Sequence, residues 1–319
     1  MALFERYLES LRQQAGIPGL SAAILQNGRL VWDAGLGHRE LDGFQPATGD
    51  TPYPILDLSQ TLSSTLLLQQ CLELRHLELT DQMRRWAPHY SDADTTIAQL
   101  LAHAAPGGGF RYDATRYAAL TTVIEQCASD ALPRLVSDEI LDRLGMASSV
   151  PGHDLADGAP NRRYFSAGTM ERYEGILRRV ATPYRVDSNG RATRSSYFRP
   201  ALSASTGVVS TVRDLARFDA ALDDGVLLNA DSRSIAWQRY GSLPTGLGWF
   251  VQQHNGERLV WHVGVASDAY STLYLKVPGR GLPLILLANS DRLVAPQNLS
   301  NGDVTNSIFA QLFLRLFLG

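Results

Sequence analysis

Two β-rich runs joined by Asn27-Gly28 open this chain and four more close it, with a long helical tract between them. That order constrains the fold more than any single residue does. Leu20–Gln26 and Arg29–Gly35 flank the Asn-Gly pair, whose tolerance of positive φ makes it a strong hairpin signal. Residues 246–253, 258–263, 270–277 and 283–289 repeat the strand pattern, with turns at Asn255-Gly256 and Pro278-Gly279. In between, Leu58, Leu62, Leu66, Leu67, Cys71 and Leu74 recur every three or four positions, which predicts a helix over 58–75. Further helical segments fall near 95–103, 114–128 and 132–144. Residues 151–200 are polar and Arg-rich and read as loop, while 201–210 is small and β-like. A helix over 211–223 is capped by Thr211, with Asp214 three residues on. Helices are also expected over 1–15, ending at Gly16, and over 304–318. The prediction is an α+β protein. Residues 1–56 and 201–319 form a lobe with an antiparallel sheet flanked by the terminal helices, and 57–200 is an inserted, mainly helical lobe. Pockets form at such junctions, so a cleft is expected between the lobes.

Bulk properties exclude several functions. With 319 residues, 45% hydrophobic and 19% charged, the chain can bury a sizeable core. A net charge of −3 without a basic block points away from nucleic acid and from membrane surfaces. There is no run of 18 apolar residues, and residues 1–30 lack an apolar stretch after a basic start, so neither a span nor a secretory signal is expected. Cys71 and Cys127 lie in separate helical segments and read as two buried or partly buried thiols. That reading favours a reducing, cytoplasmic compartment. No metal-ligand spacing and no cofactor motif is found. Of the basic side chains, only Lys276 is a lysine.

Residues 53–60, Tyr-Pro-Ile-Leu-Asp-Leu-Ser-Gln, precede the long helix. They and several ordered segments beyond them resemble the serine β-lactamase, penicillin-binding protein and esterase superfamily. The segments are Gln60–Asp81, Ile-Ala-Gln-Leu-Leu-Ala-His over 97–103, Leu-Asp-Arg-Leu-Gly-Met over 141–146, Gly207–Phe218, Gly246-Leu-Gly-Trp249 and His262-Val-Gly264. The resemblance covers nearly the whole chain and implies a β-lactamase/transpeptidase-like fold. It also implies where chemistry would lie. The family's Ser-x-x-Lys, in which lysine activates the serine, falls on Asp57 and Gln60. Its Tyr-x-Asn falls on Tyr112-Asp113-Ala114, and its third motif on His262-Val-Gly264. Asp57, Tyr112 and His262 are thus the candidate catalytic residues, and Gln60, Ala114 and Gly264 the candidate ligand contacts. Lys276, fourteen residues beyond His262, does not replace the missing base.

Two readings follow from these substitutions. In one, the chain cannot form an acyl-enzyme and binds a small acyl or peptide-like ligand, or a protein partner, in the cleft. In the other, Asp57 serves as base or nucleophile with Tyr112 and His262. Asp57 and Gln60 also have a purely local reading, as an N-cap aspartate with Gln at N3. The helix dipole would then hold the carboxylate ionised. His103 is expected to be a structural histidine at a helix end. Ser59, two positions after Asp57, would point about 200° away on a helix.

Overall fold

The computed structural model describes residues 1–155 and 159–319. Helix α1 (Ala2–Gln14) leads into β1 (Gly19–Gln26) and β2 (Arg29–Glu40). Asn27 and Gly28 take φ of 50° and 73°, the left-handed pair a tight hairpin needs. Short strands β3 (Gln45–Pro46) and β4 (Tyr53–Pro54) follow. The helical tract is α2 (Ser59–Leu67), α3 (Ile97–Leu101), α4 (Ala114–Tyr117), α5 (Leu120–Ala128), α6 (Leu132–Leu135) and α7 (Ala167–Leu177). Helices α2 and α6 run on as π-helical turns through Leu72 and Asp142. Next come β5 (Tyr184–Val186), β6 (Ala192–Arg194) and β7 (Val209–Ser210). Helices α8 (Val212–Asp223) and α9 (Ala230–Ala236) precede a meander of β8 (Phe250–His254), β9 (Glu257–Ala266), β10 (Tyr270–Val277) and β11 (Leu282–Ala288). The chain closes with α10 (Ile308–Phe317).

Seven strands form one antiparallel sheet in the order β3-β2-β1-β11-β10-β9-β8, so the N-terminal hairpin sits beside the last strand of the meander. Both faces are covered, because successive side chains of a strand point to opposite sides. Along β11, Leu284 and Leu286 join a core with Phe4, Leu8, Phe309 and Phe313 of the terminal helices. Ile285 and Leu287 face the other way, toward α2 and α8, in the larger core. Each fully buried leucine or isoleucine contributes about 1.5–3 kcal/mol relative to exposure. The sheet, the helical tract and both terminal helices therefore match the predicted α+β architecture.

Some local expectations fail. Residues 151–200 hold α7 and the β5–β6 hairpin rather than loop alone. Ser166 caps α7 by accepting the Thr169 N–H, and Met170, Tyr173 and Ile176 bury one narrow stripe in a small third core. That stripe is masked in sequence by the charged residues between its members. Of 201–210, only Val209–Ser210 is strand, paired with Tyr53–Pro54. Cys71 and Cys127 are not free thiols. They form a disulfide across 56 residues, with Cα atoms 5.8 Å apart, where the end of the α2 segment lies beside α5. Disulfides persist in oxidising surroundings, so the ground for expecting a reducing compartment is removed. No described helix is long and apolar enough to cross a membrane.

Candidate active site

The chain reaches the site through β4, which pairs with β7, and then turns sharply. Leu56 takes φ +57°, a conformation that costs a bulky L-residue of order 1 kcal/mol or more and occurs where surrounding structure enforces it. Residues Leu56–Leu58 make a short 3₁₀ turn before α2. Gly264 of β9 packs directly on this turn. A Cβ there would come within 2.7 Å of Leu56 Cβ and 3.0 Å of the Ile55 carbonyl, so any larger residue would push strand and turn apart. Thr272 of β10 secures the same turn by donating to the Ile55 carbonyl at 3.3 Å.

Asp57 does not cap the helix. Helix α2 has no side-chain cap, and the Asp57 carboxylate instead accepts the Tyr112 O–H at 2.9 Å. Gln60 donates from Nε2 to the Tyr112 oxygen at 3.0 Å, and its Oε1 lies 2.9 Å from His103 Nε2. The Asp113 backbone N–H, which can only donate, points at His103 Nδ1 at 3.2 Å. Nδ1 must therefore accept, so the neutral imidazole carries its proton on Nε2 and donates to Gln60. The result is a directed chain from the Asp113 amide through His103, Gln60 and Tyr112 to Asp57. His103, expected to be merely structural, is part of this chain. It also stacks between Tyr112 and Tyr117, at ring-centroid distances of 4.4 and 5.1 Å.

Electrostatics follow from burial. Removal from water pushes the Asp57 carboxyl up to about 6, against the opposing hydrogen bond from Tyr112. Burial thus outweighs any downward pull at the helix start, though the carboxyl stays ionised at pH 7. Burial, and then the charge of Asp57, place the Tyr112 phenol well above its ordinary value. Burial lowers His103 to about 3, helped by nearby His262, and lowers His262 to about 4 against a hydrogen bond to the Val263 carbonyl. Both imidazoles are neutral at pH 7. His262 donates from Nδ1 to that carbonyl at 2.9 Å, leaving Nε2 without a hydrogen-bond partner among the described residues.

The predicted residues are not all gathered to the same degree. Asp57, Gln60 and Tyr112 are directly bonded. The His262 ring lies 6.3 Å from that of Tyr112, and Gly264 backs the turn. Ala114 opens α4, after Asp113 caps it, and does not line the cavity beside Asp57. That cavity, of about 260 Å³, is bounded by Asp57, Tyr112, Phe250, Val263, Val265 and the 294–300 loop. The loop had no signal in the sequence beyond its turn residues.

The serines near Asp57 are engaged elsewhere. Ser63 donates to the Ala204 carbonyl, Ser64 to the Leu247 carbonyl at 2.7 Å, and Ser59 accepts from Val208 N–H at 3.3 Å. Lys276 is fully buried on β10 and pairs with Asp219 and Asp223 at 2.7 and 2.8 Å. Among the described residues, no group of three or more His, Cys, Asp or Glu could hold a metal.

Comparison with known proteins gives this architecture its class. A family profile described as Beta-lactamase matches residues 4–301, and the chain belongs to the beta-lactamase family. Its curated relatives include Protein flp of Staphylococcus aureus (strain N315), 22% identical over 345 residues. The match takes in 92% of this chain but only 64% of that protein, so the chain spans less than two thirds of its relative's length. Among solved structures, the octameric penicillin-binding protein homologue from Pyrococcus abyssi superposes with a TM-score of 0.78 at 19% identity, covering 98% of this chain and 77% of that one. A class C beta lactamase from Rhodobacter sphaeroides gives 0.72 at 15% identity, covering 99% of each. At these identities the structural likeness speaks for the fold alone.

Proposed function

We propose that this chain is a beta-lactamase-family protein without acyl-enzyme chemistry, which holds a small acyl or peptide-like ligand beside Asp57 in the cleft between a sheet lobe and a helical lobe. In this reading Asp57 and Gln60 stand where the family's serine and lysine would be, and Ala114 where its asparagine would be. The observation that carries it is what meets the cavity. A carboxyl and a phenol face it, the adjacent histidines are neutral and poor bases, and the single lysine is locked in the core. A serine nucleophile needs a nearby base to accept its proton, and Ser59, Ser63 and Ser64 have backbone partners instead. The apolar wall of Phe250, Val263 and Val265 suits a ligand body, while Asp57 and Tyr112 offer hydrogen bonds to a polar end.

Incubation with a fluorescent penicillin and with p-nitrophenyl esters, read by intact-protein mass and by absorbance, tests this. The expected result is no covalent adduct and no turnover. A penicilloyl or acyl group found on any serine ends the proposal. One observation favours a second reading, in which Asp57 acts as an acid/base group. A carboxyl titrating near pH 6 is suited to proton transfer in neutral solution. Activity on any amide or ester that follows a single titration near pH 6, and vanishes in Asp57→Asn, would select it.

A further inference from the structure

A second and larger cavity, of about 570 Å³, lies on another side of the molecule, between the end of β2, the C-terminal half of α7 and the segment after β6. Its lining is unusual in charge. Among the described residues, Arg39, Arg178, Arg194 and Arg199 face only two carboxylates, Glu40 and Glu174. Both carboxylates already have cations, Glu40 with Arg194 at 3.7 Å and Glu174 with Arg162 at 2.6 Å. Neither the Arg178 nor the Arg199 side chain has a hydrogen bond or ion pair to a described residue. His153 also lines this cavity. It is only 6% exposed, yet both its ring nitrogens lack a hydrogen-bond partner among the described residues.

Buried polar atoms are almost always paired, since leaving one unpaired costs about 1–3 kcal/mol. A neutral imidazole with an open donor and an open acceptor, beside guanidinium groups that have no side-chain partner among the described residues, is a lining suited to a charged polar ligand. Burial, and then the charge of Arg199, hold His153 down at about 4, so at pH 7 it offers one N–H and one lone pair. Leu177, Val180, Ala181 and the Tyr270 ring supply apolar wall, with Thr182 beside them. Tyr270 is held in place by donating to the Ala181 carbonyl at 2.6 Å.

We infer that this cavity binds a small organic oxyanion, a phosphate ester or a carboxylate, whose charged head meets Arg178 and Arg199 and accepts the His153 N–H, and whose apolar body lies on Tyr270 and Leu177. Planar guanidinium groups suit both kinds of head, because each can be met by paired N–H donors. The site is separate from the Asp57 cavity, with which it shares no lining residue. Tyr197 stands between the two. Its ring packs edge-on against both His153 and Tyr270, at 6.0 and 5.2 Å, and its phenol is pushed up to about 12 by burial and then by the charge of Asp57.

Calorimetric titration of the full chain with phenyl phosphate and with benzoate, in a buffer free of other polyvalent anions, tests the inference. Expected is saturable binding of at least one probe. It should weaken at least about ten-fold in the Arg178→Gln/Arg199→Gln variant, as loss of charge-assisted bonds implies. It should persist in Asp57→Asn, so that failure of this site and failure of the Asp57 reading are distinguished. Binding of phenyl phosphate alone assigns a phosphate ester, and binding of benzoate assigns a carboxylate. No saturable binding of either probe at concentrations on the order of 10 mM overturns the inference, as does equal binding by the double variant. Should that variant fail to fold, the wild-type imidazole signal of His153, identified with His153→Gln, decides. It must shift on saturation with the bound probe, and a stationary signal overturns the site.

Discussion

Two carboxylates in this molecule, Asp219 fully buried and Asp57 partly so, each accept a tyrosine O–H, and they differ in what stands beside them. Asp219 takes its hydrogen bond from Tyr274 and sits against Lys276, which also holds Asp223. Asp57 takes its bond from Tyr112, has no cation beside it, and opens on a cavity. Burial pushes both carboxyls up. In the first cluster the lysine opposes that push, and the result is a closed structural brace between α8 and β10. In the second the push is unopposed by charge, and the result is a group able to change its protonation near neutral pH. The difference shows that an ion pair is used here to hold the fold, while the cleft is left with a solitary carboxyl.

The largest effect expected from this contrast comes from Lys276→Met. Removing one partner leaves Asp219 as an uncompensated buried carboxylate, which costs about 3–5 kcal/mol in urea unfolding. A loss below about 1 kcal/mol would put the two clusters on the same footing and break the comparison.

Asp57→Asn should act in the opposite direction. With a folded pKa of about 6 against an ordinary value of 3.8, the folded chain keeps the Asp57 proton while the unfolded chain gives it up. Stability therefore falls as pH rises from about 4 to about 6 and is level above that. A shift of roughly two units corresponds to at most about 3 kcal/mol, an upper bound because part of Asp57 stays open to the cavity. The asparagine variant should be more stable than the parent at pH 7 by up to that amount and indistinguishable from it at pH 4. Thermal unfolding at the two pH values measures both, and a variant that is destabilised at pH 7 contradicts the account.

The smallest effect is that of Tyr112→Phe. Without the phenol's hydrogen bond, the Asp57 carboxyl should titrate still higher, at a cost near 1 kcal/mol or less in stability. A carboxyl carbon-13 titration reads this directly. A downward shift would mean that the bond to Tyr112 does not favour the anion.

The sheet was legible because its signals are local: the turns at Asn27-Gly28, Asn255-Gly256 and Pro278-Gly279 each bound a strand without reference to distant residues. The position of His262 beside Gly264 was legible through the motif, and Gly264 turned out to matter for the space it leaves against Leu56. What escaped depends on pairs far apart in sequence. Nothing near Cys71 indicates that Cys127 lies alongside it. The part played by His103 comes from the fold bringing Gln60 and the Asp113 amide to its two nitrogens. The capping reading of Asp57 failed for the same reason: a phenol 55 residues away claims the carboxylate.

The fixed direction of the chain running from the Asp113 amide to Asp57 limits what that carboxyl can present. A peptide N–H cannot turn round, so the relay has no reversed form, and any proton taken up at Asp57 finds the inward side already supplied with donors. Whether the carboxyl or the phenol carries it, the extra hydrogen must face outward. Above pH 6 the pocket therefore greets a guest with a lone pair, suited to an amine or amide N–H. Below pH 6 it presents a hydrogen, suited to a carbonyl, so in the proposed ligand site a change of acidity would alter which polar group is favoured.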